Sequence, residues 1–234
     1  MRKILDIARR ASASEPERRQ RFVYETSDER ATVASALRAL NERSPLLDED
    51  GTPAEPIRWE CSCLQKKCGA CAMLVNGVPR LACDARLAQL RGDVVRLEPL
   101  RKFPLVADLM VDRSALFARL AELEVWLEEQ VELPQRRSAV AFEGSRCLQC
   151  GCCLEVCPNF AVSGGFGGMA AMTPLSRLLA EATPAERTRL AHAYRAGVAG
   201  GCGTSLACRT ICPAGIDISG LMARSNAAAL WRRW

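Results

Sequence analysis

The sequence predicts an α+β fold with two domains, a small mixed domain over residues 1–104 and a helical domain over residues 105–234. Three observations support this prediction. Short apolar runs separated by turn residues fill the first hundred positions, whereas helical periodicity and N-cap signatures follow. Thirteen cysteines fall into three groups, one in the first part and two in the second. We therefore expect each part to build its own cysteine site.

The first part contains strand signals and one helix signal. Helical spacing of Val33, Ala36, Leu37 and Leu40 predicts a helix over Thr32–Glu42. Asn76-Gly77 is a two-residue hairpin turn between two apolar runs. The predicted strands are Lys3–Ile7, Arg21–Glu25, Ala72–Val75, Val78–Cys83 and Val94–Leu97.

The second part contains helix signals. Leucines at positions 116, 120, 123 and 127 share one face of a predicted helix over Ser114–Gln130, with Ser114 as its cap. Thr173-Pro174 and Thr183-Pro184-Ala185-Glu186 are N-cap signatures, the second of them a capping box with proline at the first helical position. Asp217–Trp231 is the predicted terminal helix. We expect residues 101–234 to be helical, with the cysteines of this region in connecting loops.

Composition limits the kind of site. The single histidine, His192, excludes a site built from two imidazoles of this chain. A net charge of +5, from 32 basic and 27 acidic side chains, is too small to indicate a nucleic-acid partner. The first residues lack the apolar core of a signal peptide, and no apolar run is long enough to span a bilayer. We expect a cytoplasmic chain with reduced thiols, and metal binding as the reason for so many of them.

The first cysteine group fits a [2Fe–2S] cluster. From Cys63 the spacing is C-x4-C-x2-C-x11-C, the plant-type ferredoxin pattern. Gly69 allows the loop to turn closely around the cluster, and the fourth cysteine arrives from the following hairpin. A zinc site is the alternative, but zinc favours paired C-x2-C motifs. The predicted ligands are Cys63, Cys68, Cys71 and Cys83, in a β-grasp ferredoxin domain.

The second and third groups form a bacterial-type two-cluster ferredoxin pattern. One run reads C-x2-C-x2-C-x3-C-P from Cys147 to Pro158. The other ends at Pro213 and carries Ser205 where the template has a cysteine. In this pattern the fourth cysteine of each run serves the other cluster. The predicted [4Fe–4S] ligands are Cys147, Cys150, Cys153 and Cys212.

Ser205 determines the predicted third cluster. Its site retains three thiolates, from Cys157, Cys202 and Cys208. Serine oxygen is a poor iron ligand beside thiolate, so we expect a [3Fe–4S] cluster, with a serine-ligated [4Fe–4S] cluster as the alternative. Cys61 and Cys152 remain as spare thiols next to ligands.

No catalytic residue is assigned. One histidine cannot complete a Ser/His/Asp set, and no flavin or nicotinamide fingerprint is present. Gly164–Gly168 lacks the phosphate-loop pattern and is interpreted as a flexible turn. The sequence therefore predicts a protein that carries electrons and has no site for bond chemistry.

Three cluster motifs in this order resemble the iron–sulfur subunit of succinate dehydrogenase and fumarate reductase. Cys68-Gly69-Ala70-Cys71-Ala72-Met73 and Leu81-Ala82-Cys83 are similar to the first motif of the family. The resemblance implies a non-substrate-binding subunit of an oxidoreductase, with FAD on a partner flavoprotein subunit. It also implies a membrane-anchor subunit, a quinone, and a peripheral position on the inner face of the cell membrane. Electrons would pass between flavin and quinone through the [2Fe–2S], [4Fe–4S] and [3Fe–4S] clusters in turn.

Two positions depart from the family pattern. Asn159 and Phe160 stand where many members have aromatic residues including tryptophan, and Gly203 replaces a common histidine. Both positions contribute to the quinone pocket in such members, so menaquinone or a soluble acceptor stays open beside ubiquinone. Two further hypotheses remain: a subunit serving another flavoprotein, of the thiol-linked fumarate reductase or disulfide reductase type, and a non-redox zinc or cluster-binding interaction module.

Overall fold

A computed structural model describes residues 1–128 and 139–231. The chain divides into two compact units, Met1–Asp112 and Arg113–Trp234. The first contains a mixed sheet and the second is helical, as the α+β prediction requires. The β-grasp assignment stays a prediction.

The first unit is built on a five-stranded sheet in the order β2-β1-β5-β3-β4. Strands β1 and β5 are parallel, and the other neighbours are antiparallel. Alternating side chains of β1, such as Leu5 and Ile7, are fully buried. The strands are β1 (Arg2–Arg9), β2 (Arg18–Glu25), β3 (Ala72–Val75), β4 (Val78–Leu81) and β5 (Val94–Glu98).

One helix, α1 (Val33–Asn41), packs its apolar face into this core. Thr32 and Ser35 form a capping box at its start. Asn76 and Gly77 both have positive φ angles, of 51° and 77°, as a tight hairpin turn requires. The predicted helix and hairpin are confirmed, except that β4 ends at Leu81 and leaves Cys83 beyond the strand.

The prediction that helical structure begins after residue 100 is wrong. Strands β6 (Leu105–Ala107) and β7 (Met110–Val111) form a hairpin that belongs to the first unit. Asp108 anchors this hairpin, because its carboxylate accepts hydrogen bonds from the backbone N–H groups of Arg10 and Arg58 and pairs with the buried Arg9. The first compact unit therefore extends eight residues beyond the expected boundary at residue 104.

The second unit contains six α-helices within its described residues. The core lies among α5, α6 and α7, where Leu175, Leu190 and Leu221 are buried. A turn of 3₁₀-helix at Ala199–Gly201 precedes the third cysteine group, and π-helical backbone at Ala227–Trp231 continues α7. The helices are α2 (Ser114–Glu122), α3 (Ala139–Ser145), α4 (Cys152–Glu155), α5 (Gly168–Glu181), α6 (Pro184–Gly197) and α7 (Ile218–Asn226).

Two helix predictions in this unit need correction. Helix α2 ends at Glu122 because Glu124 takes a left-handed backbone (φ 50°), and Leu123 and Leu127 therefore leave the predicted helical face. Ser114 is the first helical residue and not the cap. Gln130, where the predicted helix ended, lies outside the described residues.

Thr173-Pro174 is not a helix start. Helix α5 begins at Gly168 and carries Pro174 in its interior, where the Thr173 hydroxyl donates to Met169 O. By contrast, Thr183 accepts from Glu186 N and caps α6, with Pro184 at its start, as predicted. Asp217 caps α7 through Gly220 N.

Candidate iron–sulfur sites

The first cysteine group gathers at one end of the β3–β4 hairpin. Ala72 pairs with Leu81 in this hairpin, so that Cys71, just before β3, and Cys83, just after β4, lie near each other. The thiols of Cys71 and Cys83 are in hydrogen-bond contact, and Cys68 is close enough to Cys71 to interact electrostatically. Cys68 also hydrogen-bonds Cys63. The structure thus brings together all four predicted [2Fe–2S] ligands.

Backbone N–H groups point at these sulfurs. The amides of Gln65 and Lys67 each donate to Cys63 Sγ at 3.3 Å. The amide of Lys66 donates to Cys83 Sγ at the same distance. These bonds hold the pKa of Cys63 at about 7, below its usual range, since they stabilise the thiolate that iron requires. Burial instead raises the pKa of Cys71 to about 12.

The loop backbone is adapted to this arrangement. Leu64, Lys66 and Gly69 all have positive φ angles, of 54°, 58° and 77°. Such angles are strained for leucine and lysine and free for glycine. In this conformation the successive N–H groups of residues 65–67 donate to the sulfurs of Cys63 and Cys83.

The second predicted set gathers around the short helix α4, which contains Cys153, so the expectation that the cysteines of this region lie in loops is wrong at this position. Gly151, with φ 84°, turns the chain into this helix between Cys150 and Cys153. Burial, followed by the neighbouring thiols of Cys150, Cys147 and Cys212, raises the pKa of Cys153 well above its ordinary value. Cys212 therefore joins the other three thiols although it is 59 residues away from Cys153 in sequence.

The third predicted set borders a cavity of about 160 Å³. Cys157, Cys202, Cys208 and Ser205 all line it, and so does Cys153 of the second set. Burial and then the nearby thiols of Cys157 and Cys202 raise the pKa of Cys208. The arrangement places Ser205 at the same cavity as three thiols.

The two spare cysteines have opposite environments. Cys61 is exposed, whereas Cys152 is completely buried. A hydrogen bond from the Cys152 thiol to Cys150 lowers the pKa of Cys150 to about 7, and the same bond raises the pKa of Cys152. Cys152 therefore contacts the second set without being one of its predicted members.

The geometry needed to bind a single metal ion differs from that of the three cysteine sets. In residues 1–128 and 139–231, no three histidine, cysteine or carboxylate side chains are placed to hold one metal ion. In an iron–sulfur cluster the thiolates bind several different iron atoms. The sulfur donors therefore lie farther apart than the ligands of a single metal ion do. The chemistry of the three donor sets fits iron–sulfur clusters.

The sequence did not predict that three polar residues, Gln149, Tyr194 and Asn226, lie beside these sites. Gln149 donates to Cys147 Sγ at 3.5 Å. Tyr194 and Asn226 line the cavity at the third cysteine set. The Tyr194 hydroxyl donates to Asn226 Oδ1 at 2.7 Å, and burial raises the pKa of Tyr194. The position of Gln149 between two motif cysteines was the one available signal, because no spacing rule connects Tyr194 with Asn226.

Asn159 and Gly203, the two positions that depart from the family pattern, lie against each other. Asn159 Nδ2 donates to Gly201 O at 2.7 Å. A β-carbon at Gly203 would lie 3.1 Å from the same amide nitrogen. Asn159 thus joins the turn after Cys157 to the 3₁₀ turn Ala199–Gly201, which precedes Cys202.

Two family descriptions match the chain. "2Fe-2S iron-sulfur cluster binding domain" covers residues 4–118, and "4Fe-4S dicluster domain" covers residues 143–216. Their order agrees with the predicted order of cysteine sites. Within the described parts of the chain, no helix combines the length and apolar character needed to cross a membrane.

Individual relatives agree with these descriptions. The succinate dehydrogenase iron–sulfur subunit of Bacillus subtilis is 36% identical over 204 residues, which are 83% of this chain and 79% of that protein. The fumarate reductase iron–sulfur subunit of Mycobacterium tuberculosis is 33% identical over 192 residues, 77% of this chain and 75% of that protein.

A solved structure has the same fold. A chain of the Mycobacterium smegmatis Sdh1 complex in the apo form superposes with a TM-score of 0.73 at 20% identity, over 96% of this chain and 95% of that one. Together with the matched relatives, the cysteine sites lead to one conclusion: this chain belongs to the family of succinate dehydrogenase and fumarate reductase iron–sulfur subunits.

Proposed function

We propose that the chain relays electrons between the FAD of a partner flavoprotein and a quinone, through one [2Fe–2S], one [4Fe–4S] and one [3Fe–4S] cluster. The observation that carries the proposal is the convergence of eleven cysteines into three separate thiol sets, in the order that the spacing predicts. Each cluster, when bound, supplies reversible one-electron transfer. The chain itself contributes the thiolates and their hydrogen-bond donors.

The proposed ligand sets are those that the motif spacing predicts, and the proximity of the thiols supports them. Cys63, Cys68, Cys71 and Cys83 hold the [2Fe–2S] cluster, and Cys147, Cys150, Cys153 and Cys212 hold the [4Fe–4S] cluster. Cys157, Cys202 and Cys208 hold the third. Ser205 supports the [3Fe–4S] assignment, because an alcohol competes poorly with thiolate for iron and leaves one corner without a ligand.

The partners follow from the family. The named relatives are subunits of succinate dehydrogenase and fumarate reductase, so the proposed partners are an FAD-containing flavoprotein subunit, which binds the dicarboxylate, and a membrane-anchor subunit. Through that anchor the chain would lie at the inner face of the cell membrane.

The decisive test is anaerobic affinity purification of the chain from its native host, followed by identification of the copurifying flavoprotein. We expect a subunit with FAD and a dicarboxylate site, and succinate- or fumarate-dependent changes in the cluster EPR signals. The substrate assignment would be overturned if the copurifying flavoprotein reduced a disulfide and the cluster EPR signals did not change on addition of succinate or fumarate.

A further inference from the structure

The Gln149 side chain points an N–H donor at Cys147, a thiol of the second cysteine set, where the Thr173 hydroxyl and the Gln149 backbone N–H also make hydrogen bonds. Gln149 Nε2 lies 3.5 Å from Cys147 Sγ and 2.9 Å from Ala170 O. An amide nitrogen has two hydrogens, so both bonds can form at once. The opposite atom, Gln149 Oε1, is buried without a hydrogen-bond partner.

Both neighbours fix the orientation of this amide. A carbonyl oxygen and an iron-bound thiolate are acceptors only, so the nitrogen and not the oxygen must face them. Leaving Oε1 buried and unpaired carries a desolvation cost. The opposite orientation would be worse, because it would place the acceptor Oε1 against two other acceptors, Cys147 Sγ and Ala170 O.

Pro174 makes the acceptor at Ala170 available. In a regular helix the N–H of residue 174 would donate to the carbonyl of residue 170, but proline has no N–H. Gln149 takes the place of that donor. Pro174 therefore affects the cysteine site: it leaves the Ala170 carbonyl free of a helical partner, and that carbonyl holds the Gln149 amide that reaches Cys147.

The backbone of Gln149 is also unusual. Its φ is 49°, in the left-handed region that favours glycine. Strained residues persist where the surroundings hold them, often at functional sites. Here the conformation directs the side chain back toward Cys147, two residues earlier.

We infer that Gln149 is a positioning residue that raises the reduction potential of the [4Fe–4S] cluster through its N–H···S bond to Cys147. The inference rests on the proposed function, because it requires Cys147 to be a ligand. Reduction adds one electron and breaks no bond, and the amide proton stays on Nε2. A donor facing the sulfur stabilises the more negative, reduced state, so its loss lowers the potential.

The first unit supplies a matched control. Gln89 is exposed at the end of the turn Leu87–Gln89. Gln149→Leu and Gln89→Leu are the same chemical change at two different positions. Gln149→Leu removes a hydrogen-bond donor from a predicted cluster ligand, whereas Gln89→Leu changes an exposed side chain outside the three cysteine sets.

The experiment is an EPR-monitored redox titration of each variant in the purified complex. We expect Gln149→Leu to shift the reduction equilibrium of the [4Fe–4S] cluster toward the oxidised form by about three- to tenfold, or ~30 to 59 mV for a one-electron couple. Gln149→Glu should shift it further, since it adds a negative charge. The other two midpoints, and all midpoints of Gln89→Leu, should stay unchanged.

An unchanged [4Fe–4S] midpoint in Gln149→Leu, at full iron content, would overturn the inference and leave the proposed function intact. If the leucine variant loses the cluster, Gln149→Gly decides the matter, because glycine accepts the left-handed backbone while lacking the donor. A wild-type complex without acid-labile sulfide would refute the proposed function itself.

Discussion

Ser205 is the residue on which the proposed cluster composition depends. It is exposed and lines the cavity bordered by Cys157, Cys202 and Cys208. The neighbouring residues Thr204 and Leu206 have positive φ angles, of 52° and 55°, which give this short segment an irregular path past the thiols. Replacing oxygen with sulfur here changes the donor without changing the backbone.

We predict that Ser205→Cys converts the [3Fe–4S] cluster into a [4Fe–4S] cluster, because a fourth thiolate can hold the missing iron. The EPR signal of the oxidised [3Fe–4S] cluster should disappear, and iron should rise by about one atom per chain. Ser205→Ala is the control and should leave signal and iron content unchanged. If the serine oxygen instead ligated a fourth iron, the wild type should lack the [3Fe–4S] signal, and Ser205→Ala should gain it while losing about one iron atom per chain.

The two spare thiols give a second prediction at this scale. Alkylation of the cluster-loaded complex with iodoacetamide, read by peptide mass spectrometry, should modify the exposed Cys61 in preference to the buried Cys152. Cys61→Ser should keep all three cluster signals. Loss of the [2Fe–2S] signal in that variant would instead make Cys61 a ligand.

At the scale of elements, the contact between α3 and α5 depends on a glycine. A β-carbon at Gly144 would lie 2.6 Å from the backbone oxygen of Thr173 and 3.0 Å from Arg177 Cβ. Backbone oxygen in a helix cannot move aside easily, so the two helices must separate to admit a methyl group.

Gly144→Ala should therefore lower the free energy of unfolding by about 1 to 3 kcal/mol, a typical cost of overpacking. Chemical denaturation of the cluster-loaded protein measures this change. Gly165→Ala is the matched control, because a β-carbon there meets nothing within 4 Å. Equal stability of the two variants would contradict the close packing of α3 on α5.

Local sequence signals predicted some elements well and failed at others. The strands β1 to β5 of the main sheet, helix α1 and the Thr183 cap follow from periodicity and capping, which act within a few residues. Thr173-Pro174 misled because proline inside α5 is compensated by Gln149, a partner more than twenty residues away. The early end of α2 depends similarly on Arg189, which donates to Glu124 O and Trp126 O.

The same distinction applies to the candidate sites. Ligand spacing predicted which cysteines meet, because crossed ligation is a property of the motif. The donors around the sulfurs depend on backbone conformation, as at Leu64 and Lys66, or on distant packing, as at Gln149. Neither can be deduced from residue spacing.

At the scale of the whole molecule, we expect one segment of the second unit to depend on its cluster more than the packed sheet of the first unit does. The sheet of the first unit has its own core, in which Leu5, Ile7 and Leu97 are fully buried. In the second unit, exposed residues 203–206 connect Cys202 with Cys208. Metal ligation is therefore expected to order this segment more than packing does.

Hydrogen–deuterium exchange before and after anaerobic removal of iron should reveal this difference. Amides of residues 199–212 should lose protection, whereas amides of β1 and β5 should keep most of theirs, because exchange from a packed sheet requires larger opening. Uniform loss of protection across both units would show that the sheet itself depends on the clusters.

Iron and acid-labile sulfide analysis of the anaerobically purified chain, combined with EPR, tests the central claim most directly. One [2Fe–2S], one [4Fe–4S] and one [3Fe–4S] cluster together require about nine iron atoms and about ten sulfides per chain. We expect these values, with three distinct EPR signals. Zinc in place of iron, without labile sulfide, would contradict the electron-transfer account.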